Sequence, residues 1–124
     1  MLSNVQTTII GGGIVGSSVL YHLSKTMKNV VLLEQEQLTS GSTWHAAGVI
    51  GQIRNSITES RMSMYSSKLY SEIERENSIG WKKCGAINIA TTKKRHLYFN
   101  GLSTRLKHIG LEMESVEPSE IGKM

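Results

Sequence analysis

The apolar positions in the first third of the chain change period twice. Thr7-Thr8-Ile9-Ile10 is a short β-prone run, after which Gly11, Gly12 and Gly13 interrupt any regular pattern. Val15, Val19, Leu23 and Met27 then recur every four residues, the stride of a helix with one apolar face. Asn29 breaks that stride, and Val30-Val31-Leu32-Leu33 is a continuous apolar run of the kind shown by a parallel strand covered on both sides. Strand, helix and strand in that order predict a βαβ unit, and so an α/β fold.

Farther along the signals are fewer. Ser56 and Glu59 have capping-box spacing, and Met62, Tyr65, Leu69 and Ile73 follow on one helical face, expected to be core packing. The stretch from Trp81 to Ala90 reads as a strand with Ile87 and Ile89 on one side. Leu102, Leu106 and Ile109 mark another helix, which Gly110 should end. Gly101 inside it costs roughly 1 kcal/mol relative to Ala and weakens the expectation for its first half. Pro118 and Ser119 suit the first turn of one more helix. No internal repeat or low-complexity tract interrupts the chain.

Gly11, Gly13 and Gly16 have the G-x-G-x-x-G spacing, and they stand where that motif has meaning, between a strand and a helix. Gly11 allows the tight turn, Gly13 lets backbone approach a pyrophosphate, and Gly16 lets helix and strand pack closely. The N–H groups that open the helix, those of Ile14 and Val15 among them, are unpaired donors for phosphate. Glu34 ends the second strand 18 residues after Gly16, where a carboxylate accepts from both ribose hydroxyls and repels a 2′-phosphate. The fingerprint alone would serve an NAD-binding Rossmann module equally well, or a glycine-rich turn with no ligand.

Gly41-Ser42-Thr43-Trp44-His45-Ala46-Ala47-Gly48 separates these alternatives. With the glycine-rich turn, Leu32-Leu33-Glu34 and Leu38-Thr39-Ser40, it resembles the N-terminus of the FAD-dependent amine oxidoreductases typified by dimethylglycine dehydrogenase and sarcosine dehydrogenase, flavoproteins of the D-amino-acid-oxidase type. The likeness continues through the Tyr65 to Glu76 helix, the Gly85 to Ala90 strand and Glu117-Pro118-Ser119-Glu120, so it covers essentially the whole chain.

The resemblance implies FAD, with Gly13 and Ile14 touching the pyrophosphate, Glu34 and Gln35 holding the adenosine, and Gly41 to Val49 wrapping the flavin. His45 falls on the family's position for covalent flavin attachment. A neutral imidazole nitrogen is nucleophilic, the ring methyl of an oxidised flavin becomes electrophilic once it loses a proton, and Ala46, Ala47 and Gly48 leave room for the approach beside the flat wall of Trp44. Outside this octapeptide the same histidine would read as a loop residue satisfied by hydrogen bonds. Two positions depart from the pattern: Gln35 stands where relatives often carry a cation, and Leu20 where they carry Ala or Gly, which would set the first helix farther from the sheet.

The activity implied is oxidation of the N-methyl group of a small amino acid such as dimethylglycine or sarcosine. The iminium formed would hydrolyse or pass its carbon to tetrahydrofolate; the electron acceptor is left open. A non-catalytic regulatory branch of the same family is the alternative, and the resemblance implies that this branch lacks the histidine. The organisation expected is an N-terminal part of a Rossmann-like FAD-binding domain over residues 1–79, then the start of an α+β substrate domain over 80–124. Substrate-binding residues are expected beyond this truncated stretch, so no catalytic residue is assigned.

Composition narrows the remaining classes. The net charge of +4 comes from 14 Lys and Arg against 10 Asp and Glu, and the clusters Lys82-Lys83 and Lys93-Lys94-Arg95-His96 are too short and too poor in aromatics for a nucleic-acid face. They could help attract a substrate carboxylate. Cys84 is the single cysteine, so no internal disulfide forms, and His22, His96 and His108 lack metal-ligand spacing. No apolar run approaches membrane-spanning length and no charged leader precedes the first strand, which suggests a cytoplasmic protein, or a mitochondrial matrix protein lacking its presequence.

Overall fold

The computed structural model describes residues 4–123; Met1 and Met124, the outer limits of the two expected domains, lie outside that range. The chain divides into two compact units, Met1–Val49 and Ile50–Met124.

The first unit is the expected βαβ arrangement. β1 (Thr7–Ile10) and β2 (Val30–Leu33) pair in parallel, Thr7 opposite Val30 and Ile10 opposite Leu33, with α1 (Ile14–Leu23) between them in sequence and packed on both. The ladder runs one step past the strands, since Gly11 N–H donates to the Leu33 carbonyl at 2.8 Å. Gly11 then turns with φ +101°, a conformation that costs other residues but not glycine.

The face that α1 turns toward the sheet differs from the one its four-residue stride suggests. Gly16, Leu20, Leu23 and Met27 are half-buried, whereas Val15 is 74% exposed. Each step of four residues overshoots a helical turn by about 40°, so a stripe drawn through 15, 19, 23 and 27 spirals off the sheet at its start. Gly16 fixes the true face: a Cβ there would overlap the Gly11 carbonyl oxygen and lie 3.4 Å from Ile9 Cγ2. Close packing at this end persists with Leu20 half-buried one turn later.

The second unit is helical. α2 (Ile57–Asn77) opens with a complete capping box: Ser56 Oγ accepts from Glu59 N–H at 3.1 Å, and the Glu59 carboxylate accepts from Ser56 N–H at 3.3 Å. Its buried stripe passes through Ser60 and Ser67 with Met64 half-buried between them, while Met62 is 67% exposed and Tyr65 is also exposed. Of the expected core face, Leu69 and Ile73 are half-buried, but its first half is exposed, because small serines occupy the packed side there and side-chain size alone pointed to the other. Ser60 Oγ satisfies its burial by accepting from Arg54 N–H at 3.1 Å.

α3 (Lys93–Lys107) buries Leu102 and Leu106, as its spacing predicts. It also forms through the half that Gly101 was expected to weaken, since Thr92 Oγ1 caps it by accepting from Arg95 N–H at 3.2 Å. Gly110, φ +80°, closes it with paired bonds from Gly110 N–H to the Lys107 carbonyl and from Leu111 N–H to the Leu106 carbonyl, the Schellman pattern. α4 (Pro118–Ile121) starts with Pro in the first turn, as expected.

The strand expected from Trp81 to Ala90 is absent: residues 78–91 carry no regular structure, and Ile87 and Ile89 are 58% and 69% exposed. A strand exists by pairing, and the described residues of this unit contain no other strand to pair with it. Gly80 and Gly85, both at positive φ, set turns inside the stretch instead. No helix among the described residues is long and apolar enough to cross a membrane, and none of their His, Cys, Asp and Glu side chains group to hold a metal ion.

Candidate functional site

All the candidate site residues lie in the first unit. Gly13 is the N-cap of α1 and carries no capping side chain, so the helix opens with unmet donors. The first bond within the helix runs from Ser17 N–H to the Gly13 carbonyl, and Val15 and Gly16 N–H make no hydrogen bond among the described residues. Ile14 N–H, expected to touch the pyrophosphate, donates to Thr43 Oγ1 at 3.0 Å, across 29 residues of sequence. A Cβ on Gly13 would stand 2.9 Å from that hydroxyl, so glycine is what lets Thr43 come so near.

Glu34 closes the other side of the turn. Its Oε2 accepts from Gly12 N–H at 2.5 Å, and its Oε1 accepts from Gln35 N–H at 2.8 Å and Glu36 N–H at 3.2 Å. These bonds, that from Gly12 foremost, favour the ionised form and hold the carboxyl below its usual range against a smaller opposing effect of partial desolvation. Each carboxylate oxygen has more than one lone-pair direction, so Glu34 can keep these donors and still accept from a sugar hydroxyl. Gln35 contributes its N–H to this group while its side chain is exposed.

Gly12 is the residue that the fingerprint reading passed over. It is buried; its N–H goes to Glu34 and its carbonyl accepts from Thr39 N–H at 3.1 Å, while a Cβ would collide with Leu38. The signal was present as the middle glycine of Gly11-Gly12-Gly13, which the motif leaves variable. Thr39 was missed as well. It holds φ +68°, uncommon for a β-branched residue, and its carbonyl accepts from Trp44 N–H at 3.1 Å.

Ser42–His45 forms one turn of 3₁₀-helix with Gly41 as its N-cap. His45 Nδ1 lies 3.2 Å from the Gly41 carbonyl. A carbonyl only accepts, so this bond places a proton on Nδ1, and in the neutral ring Nε2 then carries the basic lone pair. The His45 ring is exposed, as are Trp44, Ala46, Ala47, Gly48 and Val49, with Gly48 turning at φ +68°. Hydrogen bonds thus bring together the glycine turn, Glu34, Gln35, Thr39 and Thr43. Those among the described residues do not draw Ala46 to Val49 onto that turn.

These features fit a dinucleotide carrying a flavin. Open N–H groups at a helix start suit pyrophosphate, the glycines at 12, 13 and 16 leave no room for side chains, the strand-end carboxylate suits ribose, and an exposed imidazole stands in the adjoining segment.

Comparison with known proteins agrees. The chain is 43% identical over 122 residues to mitochondrial dimethylglycine dehydrogenase of Homo sapiens, covering 96% of the chain and 14% of that protein. It is 38% identical over 122 residues to human mitochondrial sarcosine dehydrogenase, covering 95% and 13%. It is also 38% identical over 125 residues to the mitochondrial pyruvate dehydrogenase phosphatase regulatory subunit of Mus musculus, covering 98% and 14%. The chain thus spans about one seventh of the length of these relatives. No solved structure matches it. Residues 6–124 match the family of FAD dependent oxidoreductases, and the chain belongs to that family.

Proposed function

We propose that this chain supplies the dinucleotide-binding and flavin-attaching segment of an oxidoreductase that oxidises an N-methyl group of a small amino acid such as dimethylglycine or sarcosine. The observation that carries the reading is the Ser42–His45 turn, linked through Thr43 to the start of α1, in which His45 Nδ1 meets the Gly41 carbonyl and Nε2 is left for the flavin. Val15 and Gly16 N–H, with Gly11 and Gly13 beside them, receive the pyrophosphate; Glu34 and Gln35 hold the adenosine; Gly41 to Val49 flank the flavin, bonded through His45 Nε2. When bound, FAD accepts the hydride equivalent from the N-methyl carbon, and the carbon is released by water or captured by tetrahydrofolate. Residues 80–124 begin the part that encloses the substrate.

The named relatives are mitochondrial proteins, which supports the matrix over the cytoplasm as the compartment. The regulatory reading remains a second hypothesis because of the 38% identity to a phosphatase regulatory subunit; His45 and its hydrogen bond favour the dehydrogenase. The test is to purify the full-length protein, denature it on a gel and look for flavin fluorescence in the band, alongside dye-coupled oxidation of sarcosine and dimethylglycine. Fluorescence with oxidation supports the enzyme. A colourless band with neither substrate oxidised overturns it in favour of the regulatory reading.

A further inference from the structure

The bond between Ile14 N–H and Thr43 Oγ1 joins the two ends of the site, and neither the glycine fingerprint nor a flavin-attaching histidine calls for it. Gly13 cannot cap α1, and Thr43 supplies the missing acceptor from 29 residues away. Thr43 shares its single 3₁₀ turn with His45, and Ala46 N–H donates to the Thr43 carbonyl at 3.2 Å. A second tie, from Thr39 N–H to the Gly12 carbonyl, continues to Trp44 N–H through the Thr39 carbonyl. The turn bearing the imidazole therefore hangs from the glycine loop at two points, and of these only the Thr43 bond uses a side chain.

The geometry points to Thr43 as a positioning residue for flavin attachment: its hydroxyl sets how far the His45 imidazole stands from the helix start that receives the pyrophosphate. This rests on the reading of His45 given above. In any one bound conformation of its ribityl chain, FAD sets a single separation between pyrophosphate and ring methyl, so attachment requires the imidazole to stand at that separation, and a displacement near 1 Å is enough to cost a large factor in rate. In the linkage the methyl carbon exchanges one hydrogen for a bond to Nε2. Two electrons and two protons pass to the flavin ring, from the methyl group and the imidazole, and dioxygen then takes them up. Thr43 takes no part in these transfers and acts only through the placement of His45.

The experiment compares wild type, Thr43→Val and Thr43→Ser of the full-length protein, each produced under riboflavin depletion and then given FAD. Valine keeps the shape and β-branching but cannot accept, whereas serine keeps the hydroxyl. The covalently labelled fraction, followed with time by in-gel fluorescence, should grow at least about tenfold more slowly in Thr43→Val and near the wild-type rate in Thr43→Ser. Amide exchange at Ile14, read at residue level by mass spectrometry before FAD is added, should speed up in the valine variant alone. Equal labelling in all three proteins overturns the positioning role while leaving His45 as the attachment site. Unchanged Ile14 exchange overturns the latch whether or not flavin is linked, and an unlabelled wild type overturns the reading of His45 itself.

Discussion

The two units are ordered by different means. In Met1–Val49 Gly12 is the only described residue that is buried, and the order comes from backbone donors placed on single acceptors: three N–H groups on Glu34, one on Thr43, one on the Gly12 carbonyl. In Ile50–Met124 Leu106 is 0% exposed, Leu102 and two serines are also buried, and α2 and α3 begin on side-chain caps at Ser56 and Thr92. Glycine separates them most clearly. Gly12, Gly13 and Gly16 in the first unit have no space for a Cβ, whereas Gly101 in the second faces open space. The first unit gives up side-chain packing for close contacts of its glycine turn with Glu34, Leu38 and Thr43. The second relies on helix caps and a few buried side chains.

The largest effect should come from His45, the residue proposed to carry the flavin bond. His45→Ala in the full-length protein should abolish covalent flavin completely and leave some non-covalent FAD, since the pyrophosphate and ribose positions lie on other residues. In-gel fluorescence after acid precipitation decides it, and a band that still fluoresces would assign the bond elsewhere.

Next in size is Gly16→Ala. The added methyl must displace the Gly11 carbonyl oxygen, which is backbone and already at the end of the sheet ladder. Overpacking of this kind costs roughly 3 kcal/mol, and FAD affinity should fall with it because the turn and the helix start move apart. A urea titration of the variant that matches the wild type would show that the close contact is not maintained in solution.

How much of this was legible in the sequence follows the same division. The βαβ unit, the fingerprint, the capping box and the Schellman glycine were readable because each depends on local residue types at fixed spacing. The packed faces of α1 and α2 were not. Small residues, Gly16 in one and Ser60 and Ser67 in the other, mark those faces, and hydrophobic period is blind to small residues. The strand expected near Ile87 and Ile89 failed for another reason: strand propensity describes a residue's fit to a sheet and says nothing of whether a partner is present. In the site, Glu34 was found by its position, while Gly12, Thr39 and the use of Thr43 were hidden because their roles are backbone contacts between distant segments.

Glu34 gives a smaller, pH-dependent effect. Its folded carboxyl is held below the usual range, chiefly by Gly12 N–H, so its contribution is fully present above the ordinary carboxylate range and is lost as pH falls through the depressed value. Unlinked FAD binding, measured in a His45→Ala background, should be flat near neutrality and weaken only in acid. Glu34→Gln, which keeps an acceptor but cannot ionise, should bind roughly tenfold more weakly at neutral pH and lose this part of the acid dependence. The same acid limb in both proteins would place the titrating group elsewhere.

The smallest effect tests the comparison by its sign. Gly101 lies within α3, one residue before buried Leu102, on an exposed position where a Cβ would meet nothing within 4 Å. Alanine there restricts the unfolded chain and removes glycine's helical penalty, so Gly101→Ala should stabilise by about 1 kcal/mol. The substitution is the same as at Gly16, and the expected sign is opposite, because one glycine is required by a neighbouring carbonyl and the other is required by nothing in its unit. Parallel urea titrations of the two variants, followed by helical circular dichroism, give both values on one scale. Flavin attachment should be unaltered in Gly101→Ala. If that variant is destabilised instead, α3 meets something at Gly101 in solution, and the second unit is more closely packed there than its open face indicates.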